Sequence, residues 1–222
     1  MKCIDLTFGV QRKETHISAY GQAGQVVRNL AKTVRWPVNH GATRYTALFH
    51  HLNLWSMSGT YIDFPGHLTA TDDGLNSDNY PLAKLYRVKA AVIHLNRRSG
   101  SGAISKEELA AACPPLRGAK ALIGNALGAR RVDAIEHQSV YLSGEAVGWI
   151  ARRRVHLLVS DVYESACNPQ NVFHTLFDHG VSTVCCPINL SSLKTPLVRL
   201  TVLPLKLPGA VQAPCRVVAE WE

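Results

Sequence analysis

Asp63 and His67 stand four residues apart in the stretch Met57-Ser58-Gly59-Thr60-Tyr61-Ile62-Asp63-Phe64-Pro65-Gly66-His67. A Pro-Gly turn separates them, so a carboxylate and an imidazole can meet. Such a pair can share a proton, orient a ligand, or work as acid and base near neutral pH. The same two residues are also compatible with a plain solvated loop. Two doublets carry further reactive side chains. Cys185-Cys186 lies in an apolar run and reads as two small core residues on opposite faces of a strand. His50-His51 lies in an alternating run and reads as one buried and one exposed histidine.

The elements that must position these groups follow from pattern. Residues 2–7 predict a first strand. Residues 9–44 are rich in Gly, Gln, Asn and single charges, and predict long loops with one short helix. Residues 46–55 alternate and predict a strand, broken by Ser58-Gly59-Thr60. A strand over 88–95 follows. Ser105 with Glu108 forms a capping box, and Pro114-Pro115 ends that helix. Residues 119–123 predict a buried strand. Ser143 caps a second helix with a basic last turn. Residues 155–159 predict a strand with Asp161 after its end. Residues 171–179 predict a helix stopped by Gly180, and 181–186 the next strand. Residues 198–207 and 215–219 close the chain, with Pro204 and Pro208 pointing to an edge position or bulges. This order predicts one α/β domain over 1–222, a mixed sheet flanked by helices.

Composition narrows the function classes. The net charge is +8, but the cations are scattered, and Arg152-Arg153-Arg154 is the longest run. No aromatic-interleaved basic stripe is present, so a nucleic-acid partner is not expected; the charge reads as a basic soluble surface, with attraction of an anionic small molecule as the alternative. No run of 18 apolar residues predicts a membrane span. Met1-Lys2-Cys3-Ile4-Asp5 places an acid where a leader needs an apolar run, so the expected location is cytoplasmic. Six cysteines form no CxxC pair and read as reduced thiols.

The 57–67 stretch resembles the cyclase-family signature H-x-G-T-H-x-D-x-P-x-H, with Gly59, Thr60, Asp63, Pro65 and His67 matching in register. The rest of the chain is similar in order. Ile4-Asp5-Leu6-Thr7 resembles the family's opening "IDLS/T", and Ile104-Ser105-Lys106-Glu107-Glu108-Leu109 its "ITaEdL". Tyr80-Pro81-Leu82, Leu142-Ser143, Leu158-Val159-Ser160-Asp161 and Asn189-Leu190 fit later family segments. Leu203 to Gly209 and Ala213 to Ala219 resemble the terminal "lPLkl.g.dgsPaRvvA".

The resemblance implies a barrel-like mixed sheet and metal-dependent opening of amides, lactams or lactones, as in kynurenine formamidase and isatin hydrolase. It also implies a homo-oligomer, a dimer or a tetramer. In the family two signature histidines and the aspartate hold a divalent metal. Here those histidines fall on Met57 and Tyr61, and neither suits a hard divalent ion. The retained proton-shuttle histidine is His67. A second family metal site matches His174 and either Cys185 or Cys186, so Asp63, His174 and a thiolate are one conceivable zinc set. The expectation is nevertheless a cofactor-free, metal-free enzyme acting on a small carbonyl-containing metabolite by cyclisation, elimination, isomerisation or ring opening. His67 is the expected acid or base, and Asp63 orients it or His174. Tyr61 donates to a developing oxyanion. Trp55, Met57, Ser58, Phe64, Cys185 and Phe8 are expected around the substrate. An inactive ligand-binding protein and a hydrolase with an unusual metal set remain as alternatives.

Overall fold

The structure is a computed structural model, and it describes residues 1–16, 25–95, 97, 101–130, 139–165 and 167–222. The described strands are β1 (Lys2–Asp5), β2 (Lys13–His16), β3 (Gln25–Arg28), β4 (Leu30–His40), β5 (Thr43–Asn53), β6 (Tyr61–Asp63) and β7 (Val88–His94). After them come β8 (Gly102–Ile104), β9 (Ala121–Asn125), β10 (Val140–Leu142), β11 (Leu157–Ser160), β12 (Ser182–Cys185), β13 (Leu197–Pro204) and β14 (Gln212–Trp221). The helices are α1 (Lys106–Ala112), α2 (Gly144–Ala151) and α3 (Val172–Asp178).

Eight strands form one mixed sheet in the order β1-β14-β13-β7-β9-β11-β12-β6. Strand β6 also pairs with β14, which closes the sheet into a barrel-like core. Strands β7, β9, β11 and β12 run parallel. Their residues are buried on both faces, so their sequences are nearly continuous apolar runs. Alternation divides the core in two. Val92, Ile123, Val159 and Val184 join Leu6, Ile62 and Phe64 in the cluster enclosed by the sheet. Ile93, Leu122 and Leu158 join Leu109, Ile150 and Leu176 from the helices in the other.

The helix starts follow their caps. Glu108 N donates to Ser105 Oγ at 3.2 Å, and Ser105 N donates back to Glu108 Oε2 at 2.9 Å. Ser143 caps α2 by accepting from Ala146 N. Helix α3 differs, because Asn171 makes no side-chain cap bond. The buried Glu164 carboxylate takes that role, accepting from Val172 N at 2.8 Å and from Gln170 N. Asp161 ties β9 to β11 by accepting from Ala126 N, Leu127 N and Asn125 Nδ2 at 2.9–3.0 Å.

The structure corrects three expectations. The segment 9–44 holds β2, β3 and β4 rather than loops with a helix; residues 17–24 lie outside the described residues. Strand β4 pairs with β5 in an antiparallel hairpin of 11 partnered positions. His50 and His51 are both exposed, because this hairpin forms a separate two-stranded sheet. Strand β13 lies between β14 and β7, but β7 pairs only with Leu197–Leu200, so Pro204 faces a partner strand on the β14 side alone and is tolerated there.

Candidate active site

The site begins with the turn that feeds β6. Gly59 has φ +65, and a Cβ there would stand 2.6 Å from the Phe8 carbonyl oxygen, so only glycine fits. Thr60 locks three segments together. Its hydroxyl donates to Cys186 O and accepts from Phe8 N, each at 2.7 Å, and its carbonyl accepts from Cys215 N. Gly59 and Thr60 are thus explained by architecture. Asp63 and His67 are not.

Strand β6 puts Ile62 in the enclosed core and Tyr61 on the outer side, where Cys185 is its register partner. Asp63, two residues on, shares the Tyr61 side and is only 2% exposed between β12 and β14. Its Oδ1 accepts from Gln212 Nε2 at 2.7 Å, and its Oδ2 lies 3.6 Å from the Cys185 thiol, which donates to it. Burial raises its pKa to about 7, while the Gln212 and Cys185 bonds oppose the rise. Burial also pushes the Cys185 thiol and the Tyr61 phenol well above their ordinary values, so both stay neutral.

Gln212 links this buried carboxyl to the surface. Its Nε2 is also 3.3 Å from His67 Nε2, and its Oε1 accepts from Ser56 Oγ at 3.2 Å. With the amide so oriented, His67 Nε2 is an acceptor and the ring is neutral. His67 follows Pro65 on a single 3-10 turn and faces solvent on one side. On the other it meets Phe177 edge-on, 6.3 Å between centroids. Partial desolvation lowers its pKa below the usual 6.5. Phe177 continues through Phe173, both on α3, to Tyr163 beyond the end of β11, forming an aromatic wall.

The structure brings Asp63, His67, Tyr61 and Cys185 together. Met57 is half-buried against the same outer cluster. Trp55 is exposed, and its backbone N–H donates to Asn29 Oδ1. Ser58 is fully enclosed and donates to that same Asn29 oxygen. Phe64 is fully buried in the enclosed core, tilted against Tyr80 at 4.8 Å, away from the Asp63 side. His174 sits exposed on α3, whose inward residues are Val172, Leu176 and Phe177. The sequence reading missed Gln212. It lies just ahead of the predicted strand 215–219, with no motif of its own. Among the described residues, no three His, Cys, Asp or Glu side chains converge as a possible metal site.

This closed mixed sheet, with a signature loop on its rim, defines a class. A model of the putative cyclase family matches residues 4–165, and the chain belongs to that family. None of the curated proteins matches the sequence. Isatin hydrolase A from Labrenzia aggregata, solved with benzyl benzoate, superposes with TM-score 0.75 at 17% identity, over 98% of this chain and 93% of that one. Isatin hydrolase A from Ralstonia solanacearum gives 0.70 at 20%, over 98% and 91%. A potential metal-dependent hydrolase with cyclase activity gives 0.71 at 18%, over 98% and 96%. At these identities the likeness is one of fold. No helix among the described residues is long and apolar enough to cross a membrane.

Proposed function

We propose that the chain is a metal-independent cyclase-family enzyme, using His67 for proton transfer on a small carbonyl-containing metabolite. The observation that carries this is the Asp63–Gln212–His67 array. Its donor chemistry does not fit the divalent metal that the family resemblance implies. A thioether and a neutral buried phenol stand where two imidazoles would be needed. Asp63 Oδ1 is turned onto an amide N–H, and the carboxyl is half protonated near pH 7. The reading therefore takes reactions that need positioning and proton movement: cyclisation, elimination, isomerisation, or opening of an activated ring.

His67 is the solvent-facing member, so it takes and returns the proton. Gln212 matches the two titrating groups to each other. As placed, its N–H suits a neutral His67 and an Asp63 carboxylate. Turned over, its carbonyl would accept from His67 in its protonated form and from a protonated Asp63, while Ser56 accepts the amide N–H. Asp63, at a pKa of about 7, can exist in either form at working pH. Attraction of an anionic substrate by the net charge of +8 fits this reading. A second reading, binding without turnover, draws on the depth of Asp63.

The test is a panel of lactones, lactams, amides and their open-chain forms, assayed before and after exhaustive chelation. Turnover is expected to survive chelation unchanged. Loss on chelation with recovery on added zinc or manganese would overturn the proposal. A panel member that binds tightly and is never converted favours the second reading.

A further inference from the structure

We infer that the barrel mouth at the carboxyl ends of β7 and β9 is a second binding site, built for an organic phosphate with an aliphatic body. It does not depend on the His67 chemistry. In register, Val92 pairs with Ile123 and His94 with Asn125. Val92 and Ile123 belong to the enclosed core, so His94 and Asn125, two residues on, end the same inward rows. Two polar side chains thus stand where the barrel opens. They knit the rim: His94 Nδ1 is 3.1 Å from Asn125 Oδ1, and His94 Nε2 is 2.7 Å from Leu193 O, just past the 3-10 turn Leu190–Ser192. Carboxyl ends of parallel strands and mouths of barrels are favoured ligand positions. Asp63 is elsewhere, three strands from β9 and level with Leu122 rather than with Asn125.

A cavity of about 1150 Å³ opens at this mouth, ample for an organic ligand and far more than an inorganic ion fills. Its lining divides by chemistry. Leu127, Pro114 and Pro196 are aliphatic, and no Phe, Tyr or Trp is among the lining residues. Arg130 and Lys194 supply cations, Ser191 and Ser192 supply hydroxyls, and no Asp or Glu lines the cavity. The Asp161 carboxylate lies behind Asn125 and is taken up by Ala126 N, Leu127 N and Asn125 Nδ2. Lys194 is held at the rim, its Nζ donating to Ser191 O at 2.6 Å. Arg130 Nη2 donates to Arg97 O at 2.6 Å, but its Nε has no acceptor among the described residues. A guanidinium donor without an acceptor is costly, so Arg130 is placed for an acceptor that these residues do not supply. A carboxylate is met by one guanidinium fork. A phosphate brings up to two charges and three acceptor oxygens, which match two cations and two hydroxyls. A single-stranded nucleic acid needs aromatic platforms that this lining lacks.

The experiment is NMR on the full chain labelled with nitrogen-15, following the Arg130 Nε–H signal, with calorimetry for affinity; it requires no turnover. The probes are hexyl phosphate, hexanoate, hexanol and inorganic phosphate. Hexyl phosphate is expected to shift the signal saturably and to bind more tightly than the other three. Arg130→Gln should weaken it about tenfold or more, the loss of a charge-assisted contact. Lys194→Gln, at the exposed rim, should weaken it by a smaller factor, and His67→Ala should leave it unchanged. Should Arg130→Gln fail to fold, Lys194→Gln and the wild-type Arg130 signal decide. Four results would each overturn the inference: no saturable shift with hexyl phosphate, equal affinity for hexanoate, affinity untouched by Lys194→Gln, or binding lost in His67→Ala. Equal affinity for inorganic phosphate would also overturn it, leaving an adventitious ion only.

Discussion

Asp63→Asn is expected to make the protein more stable above pH 7, although it removes an aspartate retained from the family signature. Burial raises the folded-state pKa of Asp63 from 3.8 to about 7. A raised acid favours the folded state while protonated. That contribution is full below the unfolded value near 4 and is lost as pH climbs through the folded value. The loss amounts to about 4 kcal/mol, from ~3 pKa units at about 1.4 kcal/mol each. Asparagine fills the same volume, accepts from Gln212 through its oxygen, and carries no charge to bury. The variant should match the wild type near pH 4 and exceed it by a few kcal/mol near pH 8. Asp161 has the same sign, its pKa raised to about 6 by burial, so a shallower fall remains in the variant. Urea unfolding at stepped pH measures both curves. If Asp63 were a metal ligand or an ion-pair partner, the order at pH 8 would reverse.

His67→Ala should lower turnover by about 10²–10⁴-fold, the range for losing a positioned acid or base. Its pKa lies below the usual 6.5 because Phe177 desolvates one side, so the base form is present at neutral pH. The wild-type rate should rise through that lowered pKa and level off above it. The variant should lose this acid limb while keeping its KM, since the ring contributes proton transfer rather than uniform binding. A variant with wild-type kcat would remove His67 from the mechanism.

Much of the architecture was legible. Ser105 with Glu108 announced a capping box, and the run 88–95 announced a strand. Strand β5 was legible in the alternating run 46–55, but its partner β4 was not, because Lys32 and Pro37 break its alternation. Half of the site could be read from one short stretch, since Asp63 and His67 lie in a single motif. Gln212 could not, being 149 residues from Asp63 and brought there only by the β14–β6 pairing. His174 shows the converse. Matched through the family, it stands exposed on α3, and the inward α3 residue that meets His67 is Phe177.

The most direct measurement is a carbon-13 NMR titration of the Asp63 carboxyl, with and without added zinc. The account predicts a midpoint near pH 7 that zinc leaves in place, with no stoichiometric uptake of metal. A midpoint driven to low pH by zinc, with metal bound in proportion to chain, would make Asp63 a ligand and contradict it.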